Sequence, residues 1–339
     1  MSDTYPKISI VTPTYNQGAF IEETIQSVLN QNYPNLEFII IDGGSKDGTV
    51  DIIKQYEQHL TYWISEPDKG QSDAINKGLA KCTGRVFNWL NSDDLLEEGA
   101  LLAIGQQFNN PNVSLVTGTT NIKQFETGEV QPYVPELQPS LAKTISRPCL
   151  HQPSTFVLTD NIKRFGGVSS LLHYAMDMEM YTKYLLELGQ EGVVVLDRVI
   201  ATFRIHNQSK TGTAYEIFIK DIASVYHSMA LQKGMNALAD KIMLISNRLQ
   251  VEDYRFEYDL SKVDDTLIQS ILENYVYKYV NMLYDGNLAN MKKSKALLNN
   301  FAGEQLLPTD KAILEKIRKR VDFVYFSWLV KKAAQLLGR

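Results

Sequence analysis

Four polar or acidic clusters follow four predicted strands in the first hundred residues, and their residue types suit cation and phosphate chemistry. Crowded carboxylates repel one another and resist ionisation unless a cation neutralises them. Oxygen ligands of this kind favour Mg²⁺ or Mn²⁺, and a hard divalent cation suits a diphosphate. The clusters are Pro13-Thr14-Tyr15-Asn16, Asp42-Gly43-Gly44-Ser45, Glu66-Pro67-Asp68-Lys69 and Asn91-Ser92-Asp93-Asp94.

The elements that must position these clusters alternate between apolar β-branched runs and amphipathic stretches. This alternation predicts a mostly parallel α/β sheet sandwiched by helices. Ligands bind outside the carboxyl ends of the strands in such sheets, so we expect the clusters to share one rim. Strands are predicted at residues 8–12, 38–41, 62–64, 86–90 and 113–116, and helices at 20–29, 50–56, 72–80 and 101–108.

The second half of the chain has a different pattern. Residues 121–210 are irregular and rich in proline, with a predicted helix at 178–188 and a strand at 193–196. Beyond Thr213 the pattern is almost wholly helical, and Pro308 is its single proline. We therefore predict an α/β domain over residues 1–212, followed by a C-terminal α-helical extension over 213–339.

Composition and charge limit the function classes. The chain has 339 residues, of which 44% are hydrophobic and 22% charged, which is ordinary for a globular protein. Two distant cysteines, Cys82 and Cys149, form no disulfide framework and fit a reducing compartment. The N-terminus lacks the pattern of a secretory signal, so we expect a cytoplasmic protein. Residues 311–339 carry eight basic and two acidic side chains, which leaves the rest at −11 and argues against a nucleic-acid partner.

The usual phosphate-binding loops are missing from the sequence. No G-x-G-x-x-G follows the first strand, where Gly18 stands alone, and GGSKDGT lacks the P-loop lysine pattern. A bound diphosphate would therefore depend on the metal.

The motifs together resemble those of a known family. The segment ISIVTPTYNQGAFIEETIQSVLNQNYPNLEFIIIDGGSKDGT, followed by EPDKGQSDAINKG and WLNSDD, is similar to the opening of family-2 glycosyltransferases. The resemblance covers roughly residues 7–210 and implies the GT-A fold. It also implies inverting, metal-dependent transfer of one sugar from a nucleotide-diphospho-sugar to a hydroxyl of a saccharide or lipid-linked saccharide. Cell-envelope polysaccharide assembly is the family-level expectation.

The resemblance implies a role for each motif residue. Asp177, in YAMDMEMY, would be the catalytic base, and Asp93 would bind Mn²⁺ or Mg²⁺ with His206 of FRIHNQS completing the metal site. Asn91 stands at the first position of the family's D-x-D motif, where an amide can still bond a ribose hydroxyl. Met176 replaces an acidic residue that often precedes the base, and the Q-x-x-R-W motif of processive enzymes is absent. The nucleotide would be held by Thr12, Pro13, Tyr15, Asp42, Asp68, Lys69 and Asp73.

Several of these residues have a structural alternative. Asp42-Gly-Gly could be turn chemistry, and Asp93 and Asp94 could precede a helix that begins near Leu95. Asp177 could cap its helix, with Glu179 competing as the base, and His206 could be a structural histidine. His151 and Gln152 could line the sugar or acceptor pocket or could pin a proline-rich loop.

The tail and the overall function also have alternatives. The basic, aromatic segment 311–339 could contact the inner face of a membrane, or it could pack on residues 215–310 or on a second subunit of a homo-oligomer. The competing functions are a nucleotidyltransferase, and a non-catalytic nucleotide-sugar-binding or scaffold protein.

Overall fold

The computed structural model describes residues 5–147, 149–207, 209, 215–246, 254–282 and 288–336. The chain divides into two compact units. The first comprises Met1–Leu141 and Pro148–Phe218, and the second comprises Ala142–Arg147 and Ile219–Arg339. The short segment Ala142–Arg147 therefore belongs with the helical part of the chain, which a linear division near residue 212 does not include.

The first unit is built on a sheet to which nine strands of the described residues belong. The spatial order is β3-β2-β1-β4-β8-β6-β9-β5, with β7 beside β6. The strands are β1 (Ile8–Thr14), β2 (Leu36–Asp42), β3 (Tyr62–Ser65), β4 (Val86–Trp89), β5 (Leu95–Leu96), β6 (Leu115–Gln124), β7 (Val130–Tyr133), β8 (Phe156–Leu158) and β9 (Val193–Ile205).

Most of these strands run in one direction. The first four pair with one another in parallel, and β6 pairs in parallel with β9. Three strands (β5, β7 and β8) run the other way and pair antiparallel with their neighbours. The predicted mostly parallel α/β sheet is therefore confirmed, and the carboxyl ends of β1, β2, β3 and β4 share one edge.

Helices cover the sheet because their apolar residues recur on one face. In the first helix Ile21, Ile25 and Val28 are fully buried and pack with Ile8, Ile10 and Phe38 of the sheet. The helices in this part of the chain are α1 (Ile21–Leu29), α2 (Thr49–Gln55), α3 (Gln71–Lys81), α4 (Ala100–Gln107), α5 (Leu141–Ile145), α6 (Thr159–Arg164) and α7 (Met176–Leu188). All but one residue of α5 belongs to the second unit.

The segment after Asp94 differs from its prediction. Leu95 and Leu96 form β5 and pair with Thr202 and Ala201 of β9. The next helix, α4, begins only at Ala100, after Gly99 with a φ of +69°. The alternative that Asp93 and Asp94 precede a helix near Leu95 is therefore wrong, because strand pairing takes those two leucines.

The second unit is helical, as the sequence predicts for this part of the chain. Its core includes Leu272, Tyr275 and Val276, all fully buried. The Ala142–Arg147 segment joins it through a 2.7 Å ion pair between Lys143 and Asp310. No helix of the described residues is long and apolar enough to cross a membrane. The helices in the C-terminal part of the chain are α8 (Tyr215–Gln232), α9 (Asn236–Ser246), α10 (Asp265–Met282), α11 (Leu288–Leu298) and α12 (Pro308–Leu336).

Candidate active site

The two predicted metal ligands lie side by side, although 113 residues separate them. Asp93 follows β4 and His206 follows β9, and Asp93 Oδ2 is 3.1 Å from His206 Nε2. The Asp93 side chain keeps 19% of its surface exposed, whereas the His206 side chain keeps 2%. The imidazole stacks on Phe20, with ring centroids 4.4 Å apart. A cation could therefore reach Asp93 from solvent while His206 stays fixed.

The spacing of this pair fits a divalent cation. Two neighbouring ligands of an octahedral ion, with bonds of about 2.1 Å at right angles, lie about 3 Å apart. Carboxylate oxygen and imidazole nitrogen are both ligands that Mn²⁺ accepts. Among the described residues, no group of three His, Cys, Asp or Glu side chains converges on one point. Protein ligands alone would thus leave positions for water and for phosphate oxygens, as is usual for Mg²⁺ at nucleotide sites.

Asp94 has a structural environment instead. It is fully buried, and its carboxylate accepts hydrogen bonds from the Arg204 backbone N–H and from Asn91 Nδ2, both at 3.2 Å. Burial, and then the negative charge of Asp93, raise the pKa of Asp94 well above its ordinary value. Through these two hydrogen bonds the side chain ties β9 to the loop after β4.

An amide network surrounds Asn91. Its Oδ1 accepts a 2.7 Å hydrogen bond from Gln71 Nε2 at the start of α3, and its Nδ2 lies 3.4 Å from Gln152 Oε1. Gln152 is 7% exposed and donates to the carbonyl oxygen of Trp89. Through these contacts with Trp89 and Asn91, Gln152 holds the end of β4 in place. Gln71 is a rim residue that the sequence analysis missed, although it stands within the DKGQSDA motif.

Asp42 shapes the loop that follows β2. The residue is fully buried, and its carboxylate accepts hydrogen bonds from the backbone N–H groups of Gly44 and Ser45, each at 3.0 Å. The hydroxyl groups of Ser45 and Ser65 also donate to it, the latter at 2.6 Å. Four protein donors therefore occupy most of its acceptor capacity, and its direct contribution is the conformation of residues 43–45.

The loop after β3 packs closely against this turn. A Cβ atom on Gly43 would lie 2.7 Å from Asp68 Oδ2, so a larger residue at this position would displace the Asp68 carboxylate. Asp68 Oδ1 accepts a 2.8 Å hydrogen bond from the Gly70 backbone N–H. The Lys69 backbone N–H donates to Asp73 at 3.1 Å, and this bond is the main cause of the lowered pKa of Asp73.

Two predicted donor-binding residues lie within the sheet. Thr12 and Pro13 are buried in β1, which extends to Thr14, two residues beyond its predicted end. Tyr15, the first residue after β1, is 59% exposed. At this strand end, Tyr15 rather than Thr12 or Pro13 presents a side chain to solvent.

Asp177 is the first-turn carboxylate of α7. Burial raises its pKa from 3.8 to about 6, against the effect of a 2.8 Å hydrogen bond from the Met178 backbone N–H. Its charge contributes to the raised pKa values of Tyr133 and Tyr181, for which burial is the larger cause. These tyrosines are therefore neutral neighbours of the carboxylate.

The start of α7 is joined to the start of α3. Ser72 Oγ donates to Met176 Sδ at 2.8 Å, next to Gln71, which bonds Asn91. The Asp93 loop and the Asp177 turn are thus linked through two successive residues of one helix. Met176 immediately precedes Asp177, so these two contacts connect the start of α7 with the loop after β4.

The competing base, Glu179, lies in the interior. Its side chain is 1% exposed and forms a 2.7 Å ion pair with Lys183, which is 3% exposed. A carboxylate held in a buried ion pair is costly to separate from its partner. This contact leaves Asp177 as the more accessible carboxylate in the first turn of α7.

His151 lies among aromatic rings. Its ring centroid is 5.1 Å from that of Tyr133 and 5.2 Å from that of Phe203. Burial lowers the pKa of His151 to about 4, so the ring is neutral at physiological pH. Among the described residues, no hydrogen-bond partner exists for His151 Nδ1. A buried polar atom without a partner is costly, which fits a site that a ligand hydroxyl completes.

Arg204 is a second residue at this site that the sequence alone did not indicate. It is 2% exposed, and it donates to the Asp93 carbonyl oxygen, to the Glu23 carboxylate and, at 3.3 Å, to the Phe20 carbonyl oxygen. The guanidinium also lies 5.2 Å from the centre of the Phe20 ring. Arg204 therefore connects the loop of Asp93 to α1 and to the ring on which His206 stacks. Its position two residues before His206 was the available signal.

Comparisons with known proteins find similarity to glycosyltransferases. Residues 9–164 match the family model described as "Glycosyl transferase family 2". An uncharacterized glycosyltransferase of Rickettsia typhi is 28% identical over 221 residues, which cover 62% of this chain and 68% of the relative. A putative teichuronic acid biosynthesis glycosyltransferase of Bacillus subtilis, TuaG, is 42% identical over 99 residues, which cover 28% of this chain but only 38% of TuaG.

Solved structures share the fold at low sequence identity. Residues 1–349 of TarS from S. aureus, in complex with UDP-GlcNAc, superpose with a TM-score of 0.55 at 16% identity, covering 93% of this chain and 88% of the other. The mannosyltransferase PcManGT from Pyrobaculum calidifontis, in complex with GDP-Man and Mn²⁺, gives 0.52 at 19% identity and covers 98% and 85%. The family match over residues 9–164, the glycosyltransferase relatives and the GT-A-like fold together support glycosyl transferase family 2 as the family that this part of the chain resembles.

Proposed function

We propose that the protein is a metal-dependent, inverting hexosyltransferase that moves one sugar from a nucleotide-diphospho-sugar to an acceptor hydroxyl. One observation supports the proposal: a chain of contacts runs from the Asp93–His206 pair through Asn91 and Gln71 to the Ser72–Met176 contact, which is next to Asp177 in the sequence. A nucleotide that spans the rim would bring its sugar between the metal pair and the base.

The donor site uses the loops after β1, β2 and β3. Tyr15, the loop that Asp42 holds and the Asp68–Asp73 segment would form the base and ribose pocket, with Asn91 bonding the ribose. The TarS structure is a complex with UDP-GlcNAc, and the PcManGT structure is a complex with GDP-Man and Mn²⁺. These neighbours support a nucleotide-sugar donor for the present chain.

The metal site would consist of Asp93 and His206, with Mn²⁺ or Mg²⁺ as the cation. A bound cation of this kind offsets the negative charge that develops on a departing nucleoside diphosphate. Arg204 would keep the Asp93 loop in place, and the Phe20 ring would keep the imidazole in its orientation. The Mn²⁺ in PcManGT supports this assignment.

Asp177 would act as the general base. As the acceptor oxygen attacks the anomeric carbon, the proton of its hydroxyl passes to the carboxylate. The bond between the anomeric carbon and the diphosphate breaks on the opposite face, so the anomeric configuration inverts. A pKa of about 6 leaves Asp177 mostly ionised near neutral pH, and it is also closer to the operating pH than that of an ordinary aspartate. His151 would bond a hydroxyl of the sugar or acceptor through Nδ1.

The acceptor would be a saccharide or a lipid-linked saccharide in cell-envelope polysaccharide assembly. The similarity to TuaG, a putative teichuronic acid biosynthesis glycosyltransferase, supports this process. The enzyme would work in the cytoplasm, at the inner face of the membrane where a lipid-linked acceptor is available. Transfer of a single sugar agrees with the absence of Q-x-x-R-W from the sequence.

A donor panel tests the proposal. UDP-, GDP- and dTDP-sugars are incubated with the protein and Mn²⁺, and the released nucleoside diphosphate is measured with and without EDTA. We expect release from one donor class, loss with EDTA and loss in Asp93→Ala. Asp51→Asn, an exposed acidic residue on α2, is the matched control. Release of pyrophosphate from a nucleoside triphosphate would instead identify a nucleotidyltransferase, and donor binding without turnover would identify a scaffold protein.

A further inference from the structure

The last helix carries large apolar side chains that are open to solvent. Phe323 is 72% exposed, Phe326 67% and Val330 51%. Exposed single apolar residues are common, whereas a contiguous group on one helix marks an interaction surface. We call Phe323, Phe326, Val330, Lys316 and Lys319 the outer face of α12.

The residues of the outer face lie on one side of the helix. At 100° per residue, Phe323, Phe326 and Val330 fall within an arc of about 60°, and Lys316 and Lys319 fall on the same side. The opposite side packs within the helical unit, where Leu314, Ile317 and Val321 are each at most 3% exposed. The helix thus has a buried face and a second apolar face that the described residues leave exposed.

The charge of this stretch is positive and not neutralised by its own acidic residues. Glu315 is paired with Arg318 at 2.5 Å, and Asp322 is paired with Lys295 at 2.9 Å. Lys316 and Lys319 are exposed, and no acidic side chain within the described ranges forms an ion pair with either. The outer face therefore presents aromatic rings on one half and unneutralised ammonium groups on the other.

We propose that the outer face of α12 binds the surface of an anionic lipid bilayer. Basic side chains near the surface are attracted by acidic headgroups, and aromatic rings bury in the boundary between headgroups and acyl chains. A second copy of the same face fits less well, because a two-fold dimer would bring like charges together. The proposal stands on α12 alone and is independent of the transferase assignment.

Vesicle flotation tests the proposal with the full-length protein. The protein is mixed with vesicles of phosphatidylcholine, with or without phosphatidylglycerol, and the floating fraction is measured at low and high salt. We expect flotation only with the anionic lipid, and less of it as salt screens the charges. Lys316→Glu/Lys319→Glu should lower the partition coefficient by at least about 30-fold, and Phe323→Ser/Phe326→Ser by at least about tenfold.

Matched controls distinguish binding through the outer face of α12 from nonspecific adsorption to vesicles. Leu231→Ser/Leu244→Ser removes two exposed apolar side chains elsewhere in the same unit, and Lys54→Glu/Lys262→Glu reverses two exposed charges away from α12. Both should float like the wild type. Deletion of α12 is a poor test because it would expose the residues that pack against Leu314, Ile317 and Val321. Point variants are used instead, and circular dichroism melting verifies that each of them folds.

Three outcomes would overturn the proposal. The wild type could fail to float with anionic vesicles, both outer-face variants could float unchanged, or light scattering could show a dimer that the Phe323→Ser/Phe326→Ser variant alone converts to a monomer without any lipid binding. Donor binding by the same variants is measured in parallel, and we expect it to be unchanged.

Discussion

At the scale of single residues, the burial of Asp177 raises its pKa, which suits its proposed role as a base but destabilises the folded protein when the carboxylate is ionised. Burial raises its pKa from 3.8 to about 6, so the folded protein binds this proton more tightly than the unfolded chain does. The stability from this proton is fully present below pH 4 and is lost as the pH rises through 6. Above pH 6 the protein therefore holds an ionised carboxylate in a site that disfavours its charge.

This cost predicts opposite effects of Asp177→Asn on activity and stability. Turnover should fall by roughly 10²–10⁴-fold because the general base is lost. The free energy of unfolding at pH 7.5 should rise by about 1–3 kcal/mol because no charge is desolvated. Urea unfolding and a turnover assay check both, and the wild-type kcat/KM should rise with pH through about 6. A variant with near-normal turnover would remove Asp177 from this role.

Gly43 gives a second prediction at this scale. Gly43→Ala should weaken donor binding by roughly tenfold, because the new methyl group must displace the Asp68 carboxylate. Asp68→Ala should weaken it as well, and Gly43→Ala should have little further effect in that background. Calorimetric titration with the donor measures this double-mutant cycle, and strict additivity would contradict the proposed contact.

The site residues that could be predicted from the sequence are those that stand at the ends of predicted strands. Asp68, Asp93 and Asn91 stand at predicted strand ends, and a parallel sheet brings such ends to one edge. The burial of Asp42 was not predictable in the same way, because it depends on Ser65, a residue of the neighbouring strand. Arg204 was missed because its partners, Asp93 and Glu23, lie more than a hundred residues away.

At the scale of elements, the end of β9 organises the metal pair. Its Arg204 side chain bonds the Asp93 loop and α1, its Arg204 backbone N–H bonds Asp94, and His206 follows at once. A single strand end therefore sets the position of His206 directly and that of Asp93, the other proposed metal ligand, through hydrogen bonds.

Substitution of Arg204 should separate two effects. Arg204→Met should lower the free energy of unfolding by about 2–4 kcal/mol, because buried carbonyl oxygens lose their donor. It should also weaken Mn²⁺ binding, and Arg204→Lys should recover part of each loss. Urea unfolding measures the first effect, and the electron paramagnetic resonance signal of free Mn²⁺ measures the second. Unchanged Mn²⁺ affinity in a folded Arg204→Met variant would show that Arg204 serves stability alone.

The accuracy of the predicted elements depended on how local their signal is. β1 to β4 and α1 to α4 follow hydrophobic patterns within a few residues, and all eight were predicted within about three residues. β5, β7 and β8 have two to four residues each, and their pairing partners are distant in sequence. A two-residue strand such as Leu95–Leu96 has no periodicity to detect, so the residues read as the start of a helix.

At the scale of the whole molecule, all proposed site residues belong to the α/β unit and the proposed membrane surface belongs to the helical unit. Hydrogen exchange with Mn²⁺ and donor should therefore show added protection at residues 42–45, 68–73, 91–94 and 203–206. The amides of the helical core around Tyr275 should be unchanged. Mass spectrometry of the peptides provides the measurement, and protection confined to the helical unit would contradict the proposed donor site.

The pairing of β5 with β9 has a consequence for how the molecule tolerates change. Leu95 and Leu96 stand directly after the Asp93 loop, and their partners Thr202 and Ala201 stand a few residues before His206. The two residues of the proposed cation site are thus held in register by two backbone pairings rather than by the chain segment that joins them. Exposed loops within that segment can vary in length without disturbing the register, whereas β8, which lies between β4 and β6 in the sheet, and the proposed base Asp177 must keep their places.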